Sequence, residues 1–374
     1  MARNRVIYQS EALYVSEDIG STTKTKHQQL ERVQSANYNF SINRQDVNQF
    51  GELARIDSII MDAPTVGLDF SYYLTDGMNE RALGFYVQRP STDTAEGQFA
   101  SGHMVQGSGK NFYITTVAEG QDAKGKDGDE IASAIGLGNA FLSDYTLDLS
   151  VGSLPTVSVS MECANINSDK AFTSATDISG VEIPAVNITN GDQIVGNVTL
   201  PKADGGESSL VALRPGDVTV NISNLDDVTI SDISGATDAD AIHIQSASLS
   251  IPLGRSPLSR LGTRFAFART VDFPVNATLS VSAILNETTA ANLATIINSQ
   301  TESDITLSIK DPEGTSAVKM LYTLKGCKID SESFSSSIGS NKTVDLTFST
   351  QIGGVGDTDN GVFVSGANDD AVFA

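Results

Sequence analysis

From Val33 onward apolar and polar residues alternate, and the same pattern returns without a gap from Ile244. Tyr38, Phe40 and Ile42 fall on Leu249, Ile251 and Leu253, and Val47 and Phe50 fall on Leu258 and Leu261. Identities run through the same frame: Gln34 on Gln245, Ser35 on Ser246, Ala36 on Ala247, Arg44 on Arg255 and Gly51 on Gly262. Side chains on a strand point to opposite faces in turn, so a period of two predicts strands with one buried face. The copied unit is therefore expected to be a β-hairpin. The frame continues through Leu68, Phe70 and Ser71 over Leu279, Val281 and Ser282.

Beyond it the spacing changes. Leu293, Ile296 and Ile297 recur at helical intervals behind the polar run Asn286-Glu287-Thr288-Thr289, which predicts a capped helix. The matching stretch, Asn79 to Tyr86, predicts a helix weakened by Gly84. After an indel the frame recovers, with Thr146 to Met161 over Ser333 to Phe348 and Gly152-Ser153 over Gly339-Ser340. A Gly-Ser pair between two alternating runs is a hairpin turn.

The rest of the chain reads as follows. Residues 1–32 suggest an arm or edge strand, echoed by Asp217 to Ile222 before the second copy. Strands are expected at Asn37 to Asn43 and Ala54 to Met61, joined by a long polar tip from Arg44 to Leu53, with further strands at Val66 to Tyr72 and Phe112 to Val117. A tip of that length binds something or is disordered. Ala132 to Met161 reads as three short strands, and Gly180-Val181-Glu182-Ile183 is weakly echoed by Gly361-Val362-Phe363-Val364. The expected division is a mainly β chain with one β domain over 1–163, a connecting β-rich segment over 164–213, a second β domain over 214–350, and a C-terminal arm over 351–374.

Composition fits a folded, sheet-rich chain: 374 residues, 40% hydrophobic, and mean hydropathy −0.09. The net charge of −22 opposes any function that grips phosphate backbones. It suits either simple solubility or a surface past which nucleic acid slides. Two cysteines, Cys163 and Cys327, make no disulfide framework. The first twenty residues carry no apolar core of a signal peptide, and no apolar run nears 20 residues, so cytoplasmic synthesis and no membrane partner are expected.

Candidate chemistry is sparse. His27, His103 and His243 are scattered without Cys or His partners at metal-ligand spacing, so neither a metal nor a cofactor is expected. The run from Gly102 to Lys110 misses the phosphate-loop spacing, because Ser108 stands where the lysine belongs. Asp357-Thr358-Asp359-Asn360-Gly361 lacks the calcium-loop register and reads as a turn. An enzyme is not expected, since no cluster of titratable groups can be assembled from the sequence.

The stretch LERVQSANYNFSINRQDVNQFGELARIDSIIMDAPTVGLDFSYYLTDG, beginning at Leu30, resembles the tail tube proteins of tailed bacteriophages, most strongly over about residues 30–90. The resemblance implies tandem β-sandwich or barrel domains, each with a flanking helix. It also implies rings that stack into a hollow tube conducting viral DNA without binding it specifically, as a virion structural protein assembled in the host cytoplasm. In some long non-contractile tails of that family the subunit is doubled, which implies trimeric, pseudo-sixfold rings, with hexameric rings as the other option. Implied partners are further copies of itself and other tail proteins such as the tape measure, the terminator and the baseplate or tip. The long tip is implied to reach the adjacent ring, giving Arg44, Gln45, Asp46, Phe50 and Gly51 an intermolecular role, with Arg255, Arg260, Leu261 and Gly262 at the matching positions. The rival expectation is a bacterial surface or adhesive β-sandwich protein, which would need an export signal.

Overall fold

A computed structural model describes residues 11–61, 63–89, 93, 97–105, 107, 109–117, 123, 131–173, 177–201, 213, 218–222, 242–262, 265–285, 302–310, 318–335, 341 and 343–366. The expected helix after Asn286 and the turn at Gly339-Ser340 lie outside these residues.

The chain is mainly β. Its first half contains β1 (Glu11–Ser16), β2 (His27–Gln29), β3 (Val33–Ser41), β4 (Arg44–Val47), β5 (Asp57–Ile60), β6 (Thr65–Tyr73), β7 (Lys110–Thr116), β8 (Ile131–Ser150) and β9 (Thr156–Cys163). Two short helices, α1 (Met78–Leu83) and α2 (Ser101–Met104), lie between β6 and β7. Then come β10 (Asn165–Thr173), β11 (Asp177–Glu182), β12 (Asn197–Pro201) and β13 (Val218–Ile222). The second half continues with β14 (Ile242–Pro252), β15 (Arg255–Leu258), β16 (Ala268–Val271), β17 (Asn276–Leu285), β18 (Ser303–Lys310), β19 (Val318–Ser335), β20 (Thr343–Gln351) and β21 (Gly361–Gly366).

The two halves run through the same ladders in the same register. β3 pairs with β6 as Ala36 opposite Phe70 and Tyr38 opposite Leu68, and β14 pairs with β17 as Ala247 opposite Val281 and Leu249 opposite Leu279. Each ladder carries one irregularity, between Val33 and Ser35 in the first and between Ile244 and Ser246 in the second. The ribbons β4–β5 and β15–β16 match at both ends, with Arg44 opposite Ile60 and Arg255 opposite Val271. β6–β9 and β17–β20 match likewise, as do β8–β9 and β19–β20, whose bulges fall between Leu142 and Asp144 and between Ile329 and Ser331. Even β1 on β7 has its counterpart in β13 on β18. A one-residue slip would turn every buried side chain outward, so shared register reflects the shared apolar phase.

β8 and β19 are long because each serves two sheets. Their N-terminal parts pair with β7 and β18, and their C-terminal parts pair with β9 and β20. The bend falls at Asn139, with φ 51°, and at Gly326, with φ 66°. These residue types tolerate the left-handed region best. Asn139 is also pinned, its side chain accepting from Val186 N at 2.8 Å and donating to Val186 O at 3.1 Å.

One sheet runs across both halves. Its ladders connect eight strands in the order β3-β6-β9-β8-β14-β17-β20-β19, and the central junction is β8 against β14. A single hydrophobic core takes Leu13, Leu68 and Phe112 from the first half together with Leu249, Leu307 and Tyr322 from the second. A satellite core forms around Tyr14, Tyr113, Ile178 and Leu200, where β10, β11 and β12 extend the layer of β1, β7 and β8.

Several expectations change. β1 is buried between β2 and β7 and is not an edge strand. β3 pairs with β6, so the stretch after Asn43 forms a separate two-stranded ribbon instead of completing a hairpin with Asn37 to Asn43. Ala132 to Met161 makes one 20-residue strand and part of the next. The helix near Asn79 ends at Leu83, where Gly84 adopts φ 107°. Within the expected C-terminal arm, β21 is a buried strand on β19. It holds the place that β10 holds on β8, so the echo of Gly361 to Val364 is Asn165 to Ser168 and not Gly180 to Ile183.

Candidate self-association surface

The paired ladders allow each half to be read against the other. In the second half the apolar face of β14 is covered: Leu249 is 1% and Ile251 0% exposed, because β8 lies along the outer edge with Leu147 opposite Leu249 and Tyr145 opposite Ile251. The matching residues of β3 are open, Tyr38 at 44% and Phe40 at 60%. They face the same side of the sheet as Leu68 and Val66. Among the described residues no strand pairs with the outer edge of β3.

The ribbons differ in the same way. Arg255 at the base of β15 is buried, its guanidinium donating to the carbonyls of His103, Leu142 and Arg269 at 2.5, 3.4 and 3.2 Å and lying 5.1 Å from the centre of the Phe141 ring. Burial, then the neighbouring Arg269, lowers its pKa to about 10. Arg269 reaches Glu162 at 2.8 Å, and Arg260 donates to Thr189 O at 2.7 Å and stacks over Phe267. The β15–β16 ribbon thus lies on the first half of its own chain. Arg255 is therefore used inside the chain, in place of the expected intermolecular contact. Leu261 and Gly262 remain at an exposed tip, Gly262 at φ 89°.

Arg44, Gln45 and Asp46 sit on the exposed β4, and Phe50 and Gly51 form the fully exposed tip, Gly51 at φ 96°. Asp46 pairs with Arg55 at 3.0 Å, an exposed contact that contributes little. Val47, Phe50, Leu53, Ile56, Ile59 and Ile60 all stand exposed on or beside this ribbon. Exposed apolar side chains gathered on one element, on both faces of the ribbon and among its charged residues, suit a surface that meets another molecule. The sequence reading singled out the tip and missed the β3 edge. Its signal was the aligned Tyr38–Leu249 and Phe40–Ile251 pairs, but exposure is not written in an alternating pattern.

A second cluster lies in the core. Glu80, on α1, is wholly buried and accepts from Tyr72 Oη at 2.9 Å, while Tyr145 and Tyr322 share a hydrogen bond at 3.2 Å beside it. Burial pushes the Glu80 carboxyl up to about 7, with Asp76 adding and the tyrosine donors opposing. Tyr322 comes from the second half and the other members from the first, so this cluster ties the halves together. Among the described residues no group of three or more His, Cys, Asp or Glu side chains is placed to hold a metal, and no helix is long and apolar enough to cross a membrane.

No protein-family model matches this chain, and no match is found among curated proteins.

Proposed function

We propose that this chain is a structural virion subunit, a tail tube protein whose copies join side by side into rings and whose rings stack into a tube conducting viral DNA. The reading is carried by one observation: two halves with the same ladders meet edge to edge at β8 and β14, while among the described residues no strand pairs with the corresponding edge of β3. A heterologous contact of that kind either closes into a ring or extends into a filament, and closure hides the strand edges that would otherwise aggregate. Three chains would give a ring of six similar units. The exposed β4–β5 ribbon, which carries Val47, Ile59 and Ile60 among charged residues, suits contact with an adjacent ring. A net charge of −22 suits a channel that repels phosphate and lets DNA slide. Tape measure, terminator and baseplate or tip proteins would be its partners.

Negative-stain electron microscopy of the purified protein tests this directly. Rings or hollow tubes are expected, and uniformly monomeric particles across a range of concentrations would refute the assignment. Native mass spectrometry then separates three chains per ring from six.

A further inference from the structure

The internal junction supplies a template for the contact between copies. Within the chain, Ser248, Leu249, Ser250 and Ile251 of β14 lie opposite Asp148, Leu147, Thr146 and Tyr145 of β8. The β8 residues correspond to Ser335, Phe334, Ser333 and Glu332 of β19, because β9 and β20 fix the same register on both strands. The β14 residues correspond to Asn37, Tyr38, Asn39 and Phe40 of β3. On one side of β19, Ser331–Ser335 pair with β20, and among the described residues no strand occupies the other side.

We propose that β3 of one copy adds antiparallel to β19 of a second copy in the register of the internal junction, setting Tyr38 opposite Phe334, Asn39 opposite Ser333 and Phe40 opposite Glu332. The proposal rests on the self-assembly reading above and specifies its contact. Its occupant is a second copy of this chain, because the open edge continues an interface the chain already makes with itself. Tyr38 and Phe40 would gain the cover that Leu249 and Ile251 already have. The one chemical mismatch is Glu332, which stands where Tyr145 does.

A second feature falls in place without adjustment. Inside the chain, β15–β16 lies against Phe141, Glu162 and Ala164. The counterparts of these three are Lys328, Ser349 and Gln351, and together they line a cleft of 520 Å³ with Glu302, Asp330 and Asp357. The same docking would carry the β4–β5 ribbon of the arriving copy onto this cleft. Arg44, in the place of Arg255, would enter a site with three carboxylates and one lysine, itself paired with Glu302. The cleft is thus the vacant counterpart of the seat that β15–β16 fills.

Engineered cross-linking reads the register. Directly opposite residues of an antiparallel pair lie about 4.5–5.5 Å apart at Cα, within disulfide reach. Asn39 and Ser333 are exposed, so replacing both leaves the core untouched. Mild oxidation of Asn39→Cys/Ser333→Cys should give a covalent ladder on a non-reducing gel, while Asn37→Cys/Ser331→Cys, four residues out of register, should stay monomeric. Tyr38→Asp, added to the first pair, should abolish the ladder. Rings or tubes with no ladder would overturn this contact and leave the tube reading standing. A ladder without rings or tubes would support the contact and remove the tube. Equal ladders from both cysteine pairs would overturn the register.

Discussion

Glu80 offers a quantitative test of the core that joins the halves. Its carboxyl is held near 7 against an ordinary value of 4.5, chiefly because burial penalises the anion. Below pH 4.5 the folded and unfolded chains both keep the proton. Between 4.5 and about 7 the unfolded chain releases it while the folded chain holds it, so stability falls as pH rises. At roughly 1.4 kcal/mol per pH unit, the whole window amounts to about 3 kcal/mol. Glu80→Gln removes the ionisation while its amide oxygen can still accept from Tyr72 Oη. Thermal unfolding of both proteins from pH 5 to pH 8, followed by near-ultraviolet circular dichroism of the tyrosines, isolates the effect as a difference. The wild type should lose ground to the variant steadily across the window and be the less stable protein at pH 8. A difference that stays constant with pH would show that Glu80 is not the buried, neutral group described.

Three further outcomes follow from packing. Leu249→Ala should cost about 2–5 kcal/mol in denaturant unfolding, whereas Tyr38→Ala at the matching position should change monomer stability by less than about 1 kcal/mol, since only one of them is covered; equal losses would contradict the open edge. In Gly138→Ala the new Cβ would sit 2.4 Å from the Pro184 carbonyl oxygen, so a loss of about 1–3 kcal/mol or more is expected, and a wild-type melting temperature would place residues 184–186 elsewhere. Arg255→Ala strips donors from the carbonyls of His103 and Leu142, at about 1–3 kcal/mol, and should loosen β15–β16. Limited proteolysis should then cut that ribbon faster than in wild type, and an unchanged rate would count against its seat on the first half.

Much of the fold was readable because it depends on period and phase. The alternation from Val33 and its return from Ile244 predicted strands that do share register, down to the paired ribbons led by Arg44 and Arg255. The echo of the N-terminal segment at Asp217 to Ile222 was likewise readable, and β13 sits on β18 as β1 sits on β7. Less readable were β8 and β19, which look like several short strands because Gly and Asn interrupt the apolar pattern where each bends from one sheet to the next. The C-terminal strand was hidden by its Gly- and Asp-rich neighbours, since a short buried strand has no period long enough to count.

By itself the sequence determined that one β-rich pattern occurs twice, because local alternation and identity are properties of the chain alone. Only the tertiary structure decided what each copy is used for. Tyr38 and Leu249 occupy the same position in the pattern, yet one is open and the other buried, and Arg44 and Arg255 divide in the same way. That difference arises from which strand lies alongside, and pairing between residues distant in sequence is set by the whole assembled sheet.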